Sequence, residues 1–421
     1  TPWFDQIKWT LSYSPQERRW SGNREQINVS GQNVKTESRN KYKEVFWQAD
    51  VQLTSSFDLG PIGNQLTYGF QGDITKTDYK YLTVTNTDGA ITVKPAGGSN
   101  FANATTRRAD WYVQDEMKLM GGRFSLTPGI RFATYQIKPR PDSDYVAIKG
   151  KAPKKIDSRR LIPQVGGVFN LTDAYSLYAR YAEGFKMPTA QQLYTSSAMG
   201  TFNLVPNPNL KPEKVKSYEA GVRGQFKDAW FSFGAFYADY DDYIQSYVYI
   251  NDTDITYDNI SQLTVWGLEA SAEWQFHPNW RLNAAASWQR GRQRQTPESE
   301  KTYYDQIEPL TATVGMKWTA PSKKIDVEMV GTFAQGVKYA SSDDVYKPGG
   351  YGVFDAYFSW KPNKTFTLRG SVLNIFNRRY FRAPLSTTFA LSPMDSVKIA
   401  NPLELQVAPG TVFGIDLIAH F

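Results

Sequence analysis

The chain has 421 residues, a formal net charge of +7, a pI of about 9.1, 15% aromatic residues and no cysteine. The absent cysteine excludes disulfide frameworks, thiolate metal centres and cysteine nucleophiles. No apolar run approaches ~18 residues, which excludes helical membrane spans, and the basic charge is scattered rather than gathered into a nucleic-acid-binding stripe.

From Thr1-Pro2-Trp3, which reads as the approach to a strand, the dominant pattern is period-2 alternation. Tight turns are expected at Pro61-Ile62-Gly63-Asn64, Gly121-Gly122, Thr172-Asp173, Lys227-Asp228, His277-Pro278-Asn279, Pro321-Ser322-Lys323 and Pro362-Asn363-Lys364. Between them fall long polar segments near 15–43, 76–107, 136–159, 185–213, 246–258, 293–306, 337–350 and 376–409, read as loops. Tyr218, Ala220, Val222, Gly224 and Phe226 share one strand face, against Ser217, Glu219, Gly221, Arg223 and Gln225. Trp266, Leu268, Ala270, Ala272, Trp274 and Phe276 repeat the design, as do Phe413, Ile415, Leu417, Ala419 and Phe421 at the end.

Apolar faces backed by charged ones, aromatics at strand ends, and short turns alternating with long loops predict one architecture. It is an all-β, transmembrane antiparallel β-barrel of about sixteen strands, with turns on the periplasmic side and loops outside. The whole chain, 1–421, reads as one such domain in a bacterial outer membrane, with lipid around it. A passive porin of about sixteen strands fits the count alone.

Enzyme chemistry finds little support. There is no Walker A loop and no HExxH motif, and the only histidines are His277, at a turn, and His420, near the end. Asp239 with Asp241, and Asp252 with Asp254, lack the ligand number of a calcium cage and read as solvated acids. The run Lys149-Gly150-Lys151-Ala152-Pro153-Lys154-Lys155 is either a solvated loop or a contact for lipid phosphates or an anionic ligand.

Two segments carry a family resemblance. Glu183 to Tyr194, with Phe185 and Pro188 at its centre, resembles the "FRAP" box of TonB-dependent haem receptors. Asn207-Pro208-Asn209-Leu210 resembles their "NPNL" box. Trp266-Gly267-Leu268-Glu269, the last-loop segment Asn374 to Tyr380 and the terminal Phe421 are similar to further family features, and Phe236 to Ile244 is similar to a segment of haem and haemoglobin receptors.

The resemblance implies a monomeric uptake receptor for haem, free or on a carrier protein, with haem as transported ligand and a ferric siderophore as the alternative cargo. It also implies a barrel of about twenty-two strands, so that a plug domain, through which the TonB complex would act, and about six leading strands lie outside this chain. Haem receptors of this kind carry a histidine between the boxes, and this chain has none there. Tyr194, the only tyrosine between the boxes, is then either an iron ligand through its phenolate or an aromatic packed at the loop base. Met187 and Met199 are weaker ligand candidates.

Overall fold

In the computed structural model, which describes residues 4–95, 99–199, 202–343, 345–384 and 406–419, the chain is almost entirely β. The elements run β1 (Gln6–Ile27), β2 (Asn33–Leu59), β3 (Ile62–Thr87), β4 (Ala90–Pro95), β5 (Ser99–Asn100), β6 (Ala104–Leu119), β7 (Phe124–Pro139), β8 (Ile156–Asn170) and β9 (Tyr175–Lys186). Helix α1 (Ala190–Tyr194) follows, then β10 (Ser196–Met199), β11 (Phe202–Leu204), β12 (Glu213–Gln225), β13 (Ala229–Tyr249) and β14 (Asp254–His277). The last are β15 (Trp280–Arg294), β16 (Thr302–Tyr303), β17 (Thr311–Thr319), β18 (Ile325–Ala334), β19 (Tyr351–Trp360), β20 (Phe366–Leu373) and β21 (Val412–Ala419). Among the described residues sixteen strands have eight residues or more, and β4, β5, β10, β11 and β16 are short additions. All seven expected turns join consecutive long strands. At one of them the backbone N–H of Asn279 donates to His277 Nδ1 at 3.2 Å. His420 and Phe421 lie outside the described residues.

The loop expectation needs correction at 15–43, 76–107 and 246–258. There β1, β2, β3, β13 and β14 continue as strands well past the apolar alternation. The first connection is only a turn, with Asn28 N donating to Gln32 O and Gly31 N to Asn28 O, both at 2.9 Å. The 27 residues of β2 reach roughly 90 Å at ~3.3 Å each, more than three times the ~25 Å apolar band of an outer-membrane strand. Above that band both faces meet water. Hydropathy then stops alternating while the backbone ladder continues.

The chain divides into two compact units, 1–165 with 182–215 and 241–260, and 166–181 with 216–240 and 261–421. In the first, β1, β2, β3, β6 and β7 pair in sequence, all antiparallel. Register sets Val51, Phe70, Trp111 and Phe132 side by side in one outward row. Trp111 is 59% exposed and packs on Phe70 with ring centroids 4.7 Å apart. Large apolar side chains left bare in a row are what a lipid-facing girdle requires.

The other face of the same strands is polar. Asp110 accepts from Arg108 Nη2 at 2.6 Å and from Arg131 Nη1 at 3.1 Å, and Gln71 Oε1 receives a bond from each guanidinium. A carboxylate only 2% exposed is tolerated because two cations and their hydrogen bonds meet it. Gly69 makes room in this wall: a Cβ there would stand 2.1 Å from the Val51 carbonyl oxygen and 2.8 Å from the Tyr112 hydroxyl. The Arg131 guanidinium lies 5.1 Å from the centre of that tyrosine ring.

In the second unit β14, β15, β17, β18, β19, β20 and β21 pair in sequence, again antiparallel. Leu268, Trp274, Val314, Met316, Phe413, Ile415 and Leu417 are exposed on its apolar face, while Glu269 and Glu273 take the alternate positions. The last-loop segment turns through Asn374 and Asn377, both at φ 49°. Asparagine tolerates that left-handed backbone because its side chain bonds locally. Here Asn374 Nδ2 donates to the Arg378 and Pro409 carbonyls, and Asn374 Oδ1 accepts from Arg378 N.

Candidate functional site

The two family boxes meet in the first unit, at the loop end of its strands. After β9 the chain enters α1 through a reciprocal cap. Thr189 Oγ1 accepts from Gln192 N at 3.2 Å, and Thr189 N donates to Gln192 Oε1 at 2.9 Å. That cap lets a helix of five residues hold. Its inner side is dry: Leu193 and Tyr194 are 0% exposed and Ala190 8%. They cluster with Ala102, Ala104, Ile137, Leu210 and Ile244, and Phe101, Tyr145 and Tyr257 pack around them. Each fully buried large side chain there contributes about 1.5–3 kcal/mol of transfer energy.

The second box closes the cluster. Asn207 Nδ2 donates to the Tyr257 carbonyl at 3.0 Å, Asn207 Oδ1 accepts from Asn209 N at 3.2 Å, and Leu210 N donates to Asn207 O at 3.3 Å. Pro208 and Leu210 are buried, and Asn209 Oδ1 accepts from Lys154 Nζ. Glu213, 6% exposed, then joins the boxes by accepting from Lys186 Nζ at 2.9 Å and from Ile244 N at 3.2 Å. Phe185 is half-buried, and Pro188 is buried outright.

This geometry bears on the ligand candidates. The Tyr194 hydroxyl donates to the Lys154 carbonyl at 2.7 Å, and the Tyr145 hydroxyl donates to the Tyr194 carbonyl at 3.3 Å. Burial pushes the Tyr194 phenol well above its ordinary range, with the Tyr145 phenol a lesser cause. The hydroxyl proton is thus committed to the Lys154 carbonyl and the ring is fully buried, so in this structure Tyr194 packs inside the cluster. Met187 is also buried, at 7% exposure. The side chain of Met199 lies outside the described residues. Among the described residues no group of three acids or histidines stands ready for a metal ion.

Sequence reasoning missed a surface beside this cluster. Register places Arg18, Tyr42 and Tyr79 in one inward row, and Trp20, Asn40 and Tyr81 in the next. Tyr79 lies 5.8 Å from Phe101 and 6.5 Å from Trp20, and Tyr42 lies 6.4 Å from Phe101, measured between ring centres. The hydroxyls are tied down: Tyr79 to Asn40 Oδ1 at 2.7 Å, Tyr42 to Glu44 Oε2 at 2.8 Å, Tyr81 to Ser38 Oγ at 3.3 Å. Arg18 stands 5.9 Å over Trp20. The result is a wall of pinned, half-exposed rings with a cation at its edge, suited to a flat apolar ligand carrying anionic groups. Its signal lay in alternation, with Tyr79 and Tyr81 flanking an outward Lys80, but all five aromatics fall in the segments 15–43 and 76–107 that read as loops.

Known proteins agree with this architecture. Residues 1–375 match the family model described as TonB dependent receptor-like, beta-barrel. The hemoglobin-haptoglobin utilization protein B of Neisseria meningitidis serogroup C is 26% identical over 378 residues, 80% of this chain and 46% of that protein. The hemin receptor of Yersinia pestis is 28% identical over 350 residues, 78% of this chain and 47% of its own length. The chain thus spans about half the length of these relatives. Among solved structures, the copper transporter OprC superposes with a TM-score of 0.75 at 14% identity, covering 100% of this chain and 64% of that one. The Serratia marcescens hemophore receptor HasR, solved in complex with its hemophore HasA and heme, superposes at 0.66 with 17% identity, covering 98% and 66%. Such receptors are transporters rather than enzymes and reside in the outer membrane, and the exposed apolar rows suit a lipid surround. The match covers most of the chain, and the chain belongs to the TonB-dependent receptor family, its strands being those of the family's β-barrel.

Proposed function

We propose that this chain supplies wall and ligand mouth to an outer-membrane receptor for haem, free or drawn from a haem-carrying protein, with uptake energised through TonB and a plug domain. The observation that carries the reading is the pinned aromatic wall of Trp20, Tyr42, Tyr79, Tyr81 and Phe101 with Arg18 at its edge. Relatives named for hemin and for hemoglobin-haptoglobin support it. In this reading the porphyrin stacks on the rings, Arg18 meets a propionate, and Tyr194 holds the loop cluster beside the wall without touching iron.

A ferric siderophore is the second reading. It is favoured by one observation: no histidine lies between the boxes, and His277 sits in the tight turn that follows β14. The family match speaks against a passive porin. The test is an absorption titration of the receptor with haemin, beside Trp20→Ala, Tyr79→Ala and Tyr194→Phe. A bound-haem spectrum weakened by the first two and kept by Tyr194→Phe supports the wall. Loss of a tyrosinate-type spectrum in Tyr194→Phe would restore Tyr194 as ligand, and no haemin binding at all would favour the siderophore.

A further inference from the structure

The outward face of the first unit holds a charge pattern that haem uptake does not use. Counting towards the loops from the girdle row of Phe70, Trp111 and Phe132, register sets Gly72, Ala109 and Thr134 in the next outward row and Ile74, Arg107 and Gln136 in the one after. Lys76, Thr105 and Lys138 follow. Lys43 on β2 lies on the same face, as do Lys155, Asp157 and Arg159 around the start of β8, where Gln136 Nε2 donates to Asp157 Oδ1 at 2.8 Å. Lys43, Lys76, Arg107, Lys138, Lys155 and Arg159 are all exposed.

Acids on this stretch are already matched. Asp78 pairs with Arg140 at 2.8 Å and Asp157 with Lys155 at 2.9 Å. Among the described residues no ion pair holds Lys43, Lys76, Arg107 or Lys138, while Arg159 lies within electrostatic reach of Asp157. The row of small residues under Arg107 leaves a hollow of about 870 Å³, lined by Ile74, Arg107, Ala109, Phe132, Thr134 and Arg159 among others. Ala109 and the girdle residue Phe132 lie in its floor, and Arg107, Lys155 and Arg159 outnumber Asp157 around its outward rim. The second unit differs: there Arg292 lies 3.6 Å from the ring centre of Tyr303 and Arg290 4.2 Å from that of Tyr339, so aromatic rings cap both guanidiniums.

We propose that this face binds the phosphates of an anionic lipid of the outer leaflet, with the headgroup on Arg107, Lys138 and Arg159 and an acyl chain over Ala109 and Phe132. Height argues for a lipid. Arg107 lies four residues, roughly 13 Å, above Trp111 along β6, and the aromatic girdle marks the apolar–polar boundary. A cation at that height meets headgroups, and a guanidinium grips phosphate through two parallel bonds. The Lys149–Lys155 run, ending beside the hollow, extends the same charge along the preceding loop.

The test uses the purified receptor in detergent, titrated with bisphosphorylated lipid A, fully dephosphorylated lipid A and inorganic phosphate, with native mass spectrometry as the readout. The triple variant Arg107→Gln, Lys138→Gln, Arg159→Gln is expected to bind bisphosphorylated lipid A about tenfold more weakly or worse. Dephosphorylated lipid A is expected to bind the unaltered receptor as poorly, and excess inorganic phosphate to leave the lipid bound. A second triple, Lys227→Gln, Lys361→Gln, Lys364→Gln, at exposed turn positions of the second unit, controls for net charge. Equal binding by the first triple variant, equal binding of the dephosphorylated lipid, or an equal loss in the control triple overturns the proposal. Full competition by inorganic phosphate assigns the site to the free anion and overturns the lipid. The three side chains are exposed, so the variants should fold. If the first triple does not, Arg107→Gln alone carries the same comparison.

Discussion

The box cluster and the aromatic wall share the loop end of one unit and are built on opposite terms. In the cluster Leu193 and Tyr194 are fully buried, and the polar groups of Asn207, Glu213 and Tyr194 are bonded inside the protein. On the wall the rings of Tyr42, Tyr79 and Tyr81 stay half-exposed, and only their hydroxyls are tied. A surface that stays partly bare keeps apolar area to bury against a ligand, whereas a dry cluster has nothing left to gain. On the function proposed above, the boxes serve as scaffold, and the cargo surface is spread over strands with no linear signature.

That division can be broken most severely at Tyr194. Removing a fully buried aromatic costs about 3–5 kcal/mol, so Tyr194→Ala should open the loop cluster, read as faster proteolysis within 140–160 and 185–215 and a lower unfolding temperature. Glu213→Gln comes next. It removes the charge that meets Lys186, whose side chain is 58% exposed, so solvent screening limits the loss to about 1–2 kcal/mol in denaturant unfolding. Trp20→Ala or Tyr79→Ala should reverse the balance, leaving stability nearly unchanged while costing about 1 kcal/mol of haemin affinity each, or roughly fivefold in Kd. Equal effects on both properties from either pair would erase the distinction between scaffold and cargo surface.

Tyr194→Phe gives the smallest effect and the sharpest test of the lost hydroxyl. One neutral hydrogen bond contributes about 1 kcal/mol. The raised phenol also makes a pH prediction. The folded state holds the proton more tightly than the unfolded state, whose phenol titrates at its ordinary value of 10.0. The associated stability is complete below that pH and is lost as pH rises from there through the folded value. Unfolding midpoints measured between pH 9 and about 12 should fall in the parent, and fall less steeply in Tyr194→Phe.

Much of the architecture was legible from the residues. Alternating faces such as Trp266 to Phe276 and turns such as Pro362-Asn363-Lys364 located the strands, because a two-residue period and turn chemistry are local properties. The count of long strands followed. The segments at 15–43 and 76–107 were misread because their strands face water on both sides, which removes hydropathic contrast while the ladder persists. The boxes could be recognised, but the role of Tyr194 could not be chosen: as a string of letters it is a ligand or a packing residue equally well.

By itself, then, the sequence determined the class of fold, the family and the position of the loop end, since periodicity, turns and motifs are written along the chain. Only the tertiary structure decided that the Tyr194 oxygen belongs to the Lys154 carbonyl, that Trp20, Tyr42, Tyr79 and Phe101 form one surface, and that Arg107, Lys138 and Arg159 share an outward face. Those facts depend on register between strands far apart in sequence. A shift of one residue would turn every one of these side chains to the opposite face.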